Sequence, residues 1–128
     1  MRIVNPQREA ETLWLFENPF NRVDIESAVF QHQNMEYLTG EYEAYVFDGD
    51  KPGKTVLRVN LECFDPDHCD RHLVEDQFVT RFIKYKSMIA EHYHDQTFTI
   101  EINFTGPRGL DFYTQKGRPK RLVDRRGN

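Results

Sequence analysis

The residue pattern predicts an α+β fold in the order β-α-β-β-α-β. This is a ferredoxin-like sandwich, with two helices on one face of an antiparallel sheet and a basic C-terminal tail behind it. Three observations predict it. The run 55–63 alternates, setting Leu57, Val59, Leu61 and Cys63 against Arg58, Asn60 and Glu62. The stretch Asp48-Gly49-Asp50-Lys51-Pro52-Gly53 before it is a strong turn signal, so a hairpin joins it to a strand at 41–47. Val74, Phe78, Phe82, Tyr85 and Ile89 recur at steps of three and four, the stripe of a long amphipathic helix over 71–92.

The remaining elements follow in order. Leu13-Trp14-Leu15-Phe16 is a short apolar run that suits a buried first strand, broken by Asn18-Pro19-Phe20-Asn21. Asn21 is placed to cap a helix, with Asp24 three residues on as the second half of a capping box. Val23, Ile25, Ala28 and Val29 then fall at helical spacing, and Gln33-Asn34 should end that helix. In the strand at 41–47, Tyr42, Ala44 and Val46 share the buried face. Tyr42 and Tyr45 point to opposite faces, so one of the two is expected in solvent, while Trp14 and most other aromatics are expected in the core. The last clear strand is 97–104, with Phe98, Ile100, Ile102 and Phe104 toward the core, and Lys120–Val123 offers a further edge strand.

The chain has 128 residues, the length of one domain, so 1–128 is taken as a single unit with 1–10 and 105–128 extended or flexible. Hydrophobic residues make up 38%, charged residues 30% and aromatic residues 13%, which speaks for a folded chain and against disorder. No apolar run approaches the ~20 residues that cross a bilayer, and Met1–Pro6 lacks a signal peptide's apolar stretch. The expected location is therefore the cytoplasm, with no membrane partner. The net charge of -4 disfavours nucleic acid. Residues 116–126 nonetheless carry six basic side chains and one acid. Lys116, Arg121, Arg125 and Arg126 are thus candidates for binding a phosphate-bearing ligand or an acidic protein surface.

Three segments resemble the C-terminal domain of phenylacetate–CoA ligases, which are AMP-forming, adenylate-forming enzymes. Family members enter this domain through a Gly-Arg-Ser-Asp-Asp hinge, an apolar strand, an Arg-Gly turn and a helix beginning near Phe-Pro-Ser-Gln-Ile-Glu. Here Arg8-Glu9-Ala10-Glu11 stands at the hinge, Leu13-Trp14-Leu15 at the strand, Phe16-Glu17 at the turn and Phe20–Glu26 at the helix start. Thr39-Gly40-Glu41-Tyr42 and the hairpin into Thr55–Val59 resemble the family's Thr-Gly-Glu-Tyr strand and its return strand. The tail from Gly117 to Arg126 resembles the closing Gly-Lys-Ala-Lys-Arg-Val-Val-Asp run.

The resemblance implies a lid. In adenylate-forming ligases a large domain binds ATP and the acid, while the small domain rotates about the hinge. A tail lysine contacts the adenylate in one pose, and another face helps admit CoA in the second. By that likeness the catalytic positions are Arg118 and Lys120, and the hinge is Ala10 and Glu11. Arg118 occupies the lysine position, and Phe16-Glu17 lacks the turn's glycine. These 128 residues hold no counterpart of the large domain. The expected role is an accessory or split lid-like subunit of an adenylate-forming or carboxylase-type complex in aromatic-acid metabolism. It would reach ATP, AMP and CoA only through a larger catalytic partner and would be inactive alone.

Two other readings stand beside it. One is a non-enzymatic ferredoxin-like regulatory or ligand-binding module that self-associates as a homo-oligomer. The other is a zinc-stabilised structural subunit using Cys63, Cys69, His68 and His72, with His92 and His94 as further donors. The spacing matches no common zinc motif and Cys63 falls on a buried face, so no metal is expected. Two cysteines are too few for a disulfide scaffold. Asp65, Asp67 and Asp70 lack the glycine and distal glutamate of a calcium loop and read better as helix caps.

Overall fold

The computed structural model describes residues 12–110 and 121–126. The first described segment is a tight hairpin. Strand β1 (Thr12–Leu15) pairs antiparallel with β2 (Asn18–Asn21), and Phe16 and Glu17 form the turn between them. Both turn residues have positive φ, 52° and 68°, as hairpin turns whose twist matches the strands require. Asn18 Nδ2 donates to the Phe16 carbonyl at 2.9 Å and closes the turn. Asn18 and Pro19, expected to break the strand, therefore extend it back. β1 is buried on one side only: Leu13 and Leu15 are inside, whereas Trp14, expected in the core, is 58% exposed.

Helix α1 (Arg22–Val29) starts directly from this hairpin. Asn21 Oδ1 accepts from the Val23 and Asp24 amides, and Asp24 Oδ2 accepts from the Asn21 amide at 2.9 Å, completing the capping box. Ile25, Ala28 and Val29 face the core and Val23 faces solvent. The helix ends at Val29, earlier than Gln33-Asn34, and a 3-10 turn (Asn34–Glu36) leads into the sheet. Strand β3 (Leu38–Asp48) turns at Gly49–Lys54 into β4 (Thr55–Cys63). The Gly49 amide donates to the Lys54 carbonyl at 2.7 Å, and a Cβ at Gly49 would meet Lys54 Cβ at 2.6 Å.

The stripe predicted for 71–92 is split between α2 (Arg71–Tyr85) and α3 (Ser87–His94). Asp70 caps α2 through the Leu73 amide, and Asp65 caps the preceding 3-10 turn (Pro66–His68) through the Asp67 amide. The break falls at Lys86, with φ -112° and ψ 61°. Its ammonium reaches the Pro19 carbonyl at 3.0 Å and Asp24 at 3.1 Å, tying the break to the first hairpin and to α1. Val74, Phe78, Phe82 and Ile89 stay buried, whereas the break turns Tyr85 outward. Phe82 is central to the packing. Its ring lies 5.5 Å from Phe20, 5.7 Å from Phe78 and 6.2 Å from Phe98.

The chain then forms β5 (Phe98–Thr105) and, further along, β6 (Leu122–Asp124). The four-stranded sheet runs β5-β4-β3-β6. β3 and β4 are antiparallel, but β4–β5 and β3–β6 are parallel. The class is α+β, as predicted. The fully antiparallel, ferredoxin-like pairing is not what the described strands adopt, for two physical reasons. The α2–α3 crossover returns β5 beside β4 in the same direction, which leaves no slot between them for another strand. The segment at 12–16 satisfies its backbone in its own hairpin, and β6 takes the place beside β3. As the edge strand, β5 also leaves Ile100 and Ile102 only half-buried, where full burial was predicted.

Candidate functional site

The three segments that carry the sequence resemblance meet at one residue, Tyr42. Its side chain is buried under α1, and its hydroxyl donates to Glu26 Oε2 at 2.6 Å. Arg22 holds the same carboxylate oxygen from one helical turn away, at 3.2 Å. From the other end of the chain, Arg121 Nη1 donates to the Tyr42 carbonyl at 2.9 Å, and Nη2 contacts Glu41 Oε2 at 2.7 Å. The Arg121 guanidinium also lies over the Tyr42 ring, 5.6 Å from its centroid. Burial, and then the Glu26 carboxylate that accepts its hydrogen bond, drive the Tyr42 phenol well above its ordinary value. The phenol is thus a fixed neutral donor rather than a nucleophile.

β6 locks the tail residues into this arrangement. The Ala44 amide donates to the Arg121 carbonyl at 2.6 Å and the Arg125 amide to the Val46 carbonyl at 2.8 Å. The Arg125 guanidinium covers the Tyr45 ring at 4.8 Å, which explains why Tyr45, expected in solvent if Tyr42 is buried, is only 5% exposed. Arg126 binds Asp124 at 2.9 Å and donates through Nη1 to the Trp14 carbonyl at 2.8 Å, joining the tail to β1. Asp124 is held below the usual carboxylate range by that Arg126 hydrogen bond. Arg121, Arg125 and Arg126, predicted to bind an anion or a partner, thus all make contacts within the chain. Ala10, Glu11, Lys116, Arg118 and Lys120 lie outside the described residues.

The sheet face away from the helices carries two buried carboxylates. Glu43 is 2% exposed and Glu62 is 5% exposed. Asn60 Nδ2 donates to Glu43 Oε2 at 2.9 Å, and Asn103 Nδ2 to Asn60 Oδ1 at 3.1 Å, a row across three strands. Glu62 accepts from Thr39 Oγ1 and from the Arg108 amide, each at 2.7 Å. Arg58 pairs with Glu101 at 3.0 Å and stacks over Phe47 at 4.7 Å. Thr39 lies within the Thr39–Tyr42 motif, Glu43 directly follows it and Glu62 bonds to it, and no spacing rule flags the rest of this face.

The side chains considered for zinc are dispersed among other tasks. Cys63 is buried at the end of β4, where burial first, and then a hydrogen bond with Cys69, push its thiol up to about 12. A thiol held protonated in this way is neither an activated nucleophile nor a ready metal ligand. His68 Nδ1 is 2.6 Å from Asp65 Oδ2, a contact that keeps the Asp65 carboxyl low. His92 is stacked flat on Phe16, with centroids 3.7 Å apart and planes at 7°. Among the described residues, no group of three or more His, Cys, Asp and Glu side chains is arranged to hold a metal ion. No helix among them is long and apolar enough to cross a membrane.

Comparison with solved structures gives a fold-level likeness. The chain is similar to the crystal structure of a domain of phenylacetate-coenzyme A ligase from Bacteroides vulgatus, with a TM-score of 0.53 and 14% identity. The match covers 91% of this chain and 94% of that one. At this identity the likeness concerns the fold. No protein-family model matches the chain, and no curated protein does.

Proposed function

We propose that the chain is a lid-like subunit that works on a larger adenylate-forming or carboxylase-type partner activating an aromatic or related acid. The observation that carries this reading is the convergence at Tyr42. Glu26, Tyr42 and Arg121 come from the three segments that resemble the ligase C-terminal domain, and Tyr42 contacts each of the other two directly. A fold of the same kind, in a domain of a ligase, accompanies that convergence. Arg118 and Lys120, the cations this reading assigns to the adenylate, stand three residues and one residue before Arg121 in the sequence. In this reading they present positive charge to an anionic intermediate held by the partner. ATP, AMP and CoA bind through that partner, because adenylation needs ATP, metal and carboxylate held together.

The test is enzymatic. The purified chain alone should show no ATP–pyrophosphate exchange with any aromatic acid, and exchange in a contaminant-free sample would refute the proposal. A partner recovered from the native host should gain turnover when the chain is added. In that complex Arg118→Ala should lower turnover while leaving the melting temperature unchanged, and Arg118→Lys should preserve or raise it. If both substitutions leave turnover unchanged, the catalytic part of the assignment fails.

A further inference from the structure

β5 forms one end of the sheet, and no described strand pairs with its outer side. Its phase is fixed by the Thr55 amide, which donates to the Thr97 carbonyl at 2.8 Å. In the unbroken parallel register from Thr55↔Phe98 to Glu62↔Thr105, the odd-numbered residues of β5 bond to β4. The N–H and C=O groups of Phe98, Ile100, Ile102 and Phe104 therefore point away from the sheet. Solitary proteins blunt such an edge with proline, lysine, a bulge or an inward charge. Residues 98–105 contain no proline and no lysine, and the pairing with β4 shows no register shift. The one charge, Glu101, is already matched by Arg58. Beneath the edge, Ile100, Ile102 and Phe104 are only half-buried against the core.

We propose that this edge takes the β5 strand of a second copy of the chain, antiparallel across a two-fold axis, with Ile102 opposite Ile102 of the other copy. Symmetry and the outward phase leave two registers that pair most of the strand. One centres on Glu101 and sets that carboxylate against its own copy, which is repulsive. The other centres on Ile102. It places Ile100 opposite Phe104, Thr99 opposite Thr105 and Glu101 opposite Asn103, so every facing pair is apolar or complementary. The half-buried apolar row of each copy then covers that of the other. Eight strands would run through the joined sheets, and the polar row of Asn60 and Asn103 would continue across the axis.

The experiment is sedimentation equilibrium of the 128-residue chain over a concentration series, with amide hydrogen exchange at both ends of the series. A monomer–dimer equilibrium is expected. In the dimer the amides of Phe98, Ile100, Ile102 and Phe104 should slow, while those of the odd-numbered neighbours are protected at every concentration. Ile102→Pro removes an outward N–H without touching the β4 ladder, and it should leave a monomer whose circular dichroism is native. Asn103 is exposed, so its charge variants test the register without endangering the fold. Asn103→Glu should weaken the dimer about tenfold and Asn103→Lys should tighten it several-fold, since each change acts at two symmetric pairs. A chain that stays monomeric throughout would overturn the proposal, whether a strand of another protein or of this chain's 1–11 or 111–120 segments covers the edge. A dimer indifferent to all three substitutions would overturn it equally.

Discussion

Arg121 and Glu41 face each other across the seam between β6 and β3, with Nη2 2.7 Å from Oε2, while the same guanidinium holds the Tyr42 carbonyl through Nη1. One side chain thus bonds both a carboxylate and a backbone acceptor of the neighbouring strand, a use of the planar fork that lysine does not reproduce. Because the pair is part-exposed, solvent screens it, and the backbone bond supplies much of its worth. Arg121→Ala should cost about 1–2 kcal/mol in urea denaturation. Arg121→Lys should recover less than half of that loss. A loss within error of zero would show that β6 is held by its ladder alone.

Phe82 joins β2, α2 and β5 through ring contacts with Phe20, Phe78 and Phe98. Truncating it empties a volume that three rigid rings cannot refill. Phe82→Ala should therefore destabilise by about 3–5 kcal/mol. Phe82→Leu, which keeps most of the volume, should cost clearly less in the same thermal or urea titration.

The turn residue Glu17 is exposed and has φ 68°, a conformation that side chains resist and glycine adopts freely. Phe16 is different, because its ring is clamped between His92 and Phe98 and its strain is offset by packing. Glu17→Gly should raise stability by roughly 0.5–1 kcal/mol, visible as a higher melting temperature. Phe16→Gly should lower it.

Alkaline pH should loosen the fold. The Cys63 thiol goes from 9.0 unfolded to about 12 folded, through burial and the Cys69 contact. The Tyr42 phenol is shifted upward from 10.0, through burial and Glu26. Both groups are neutral when protonated, and folding favours that form. Their contribution is complete below pH 9 and is lost as pH rises toward the folded values. Stability measured by denaturant at pH 8, 9.5 and 11 should fall in that order. At pH 8 iodoacetamide should label Cys69 in the native chain and reach Cys63 only on unfolding. Equal labelling rates would contradict the buried placement of Cys63.

The sequence exposes those parts of the fold whose signals are local. Asn21 and Asp24 stand three residues apart and announce their cap, and the Gly49–Lys54 turn lies between two alternating strands. The strand neighbours were not legible, because a β-α-β order does not say whether the returning strand lands beside its predecessor or one place away. The helix break at Lys86 is equally silent, since neither glycine nor proline marks it and its cause is a contact with Pro19 and Asp24 more than sixty residues earlier. Glu43 and Glu62 read as solvent positions because charge at every second residue ordinarily means a wet face. Their burial rests on partners such as Asn60, Thr39 and the Arg108 amide. At the candidate site, the arginines were visible as a basic run. That Arg121 reaches Glu41 and Tyr42 could not be seen from residues eighty positions apart.

The pairing of β6 with β3 also sets a clock on biosynthesis. When β3 leaves the ribosome, its edge at Ala44–Val46 has no described neighbour on the β6 side, and its partner lies 78 residues further along the chain. At ordinary elongation rates of about 5–20 residues per second, that edge waits roughly 4–15 s for Leu122–Asp124 to be made. Throughout that interval the edge has no described partner strand, so a chaperone or early partner that shields it would act before Leu122–Asp124 exist.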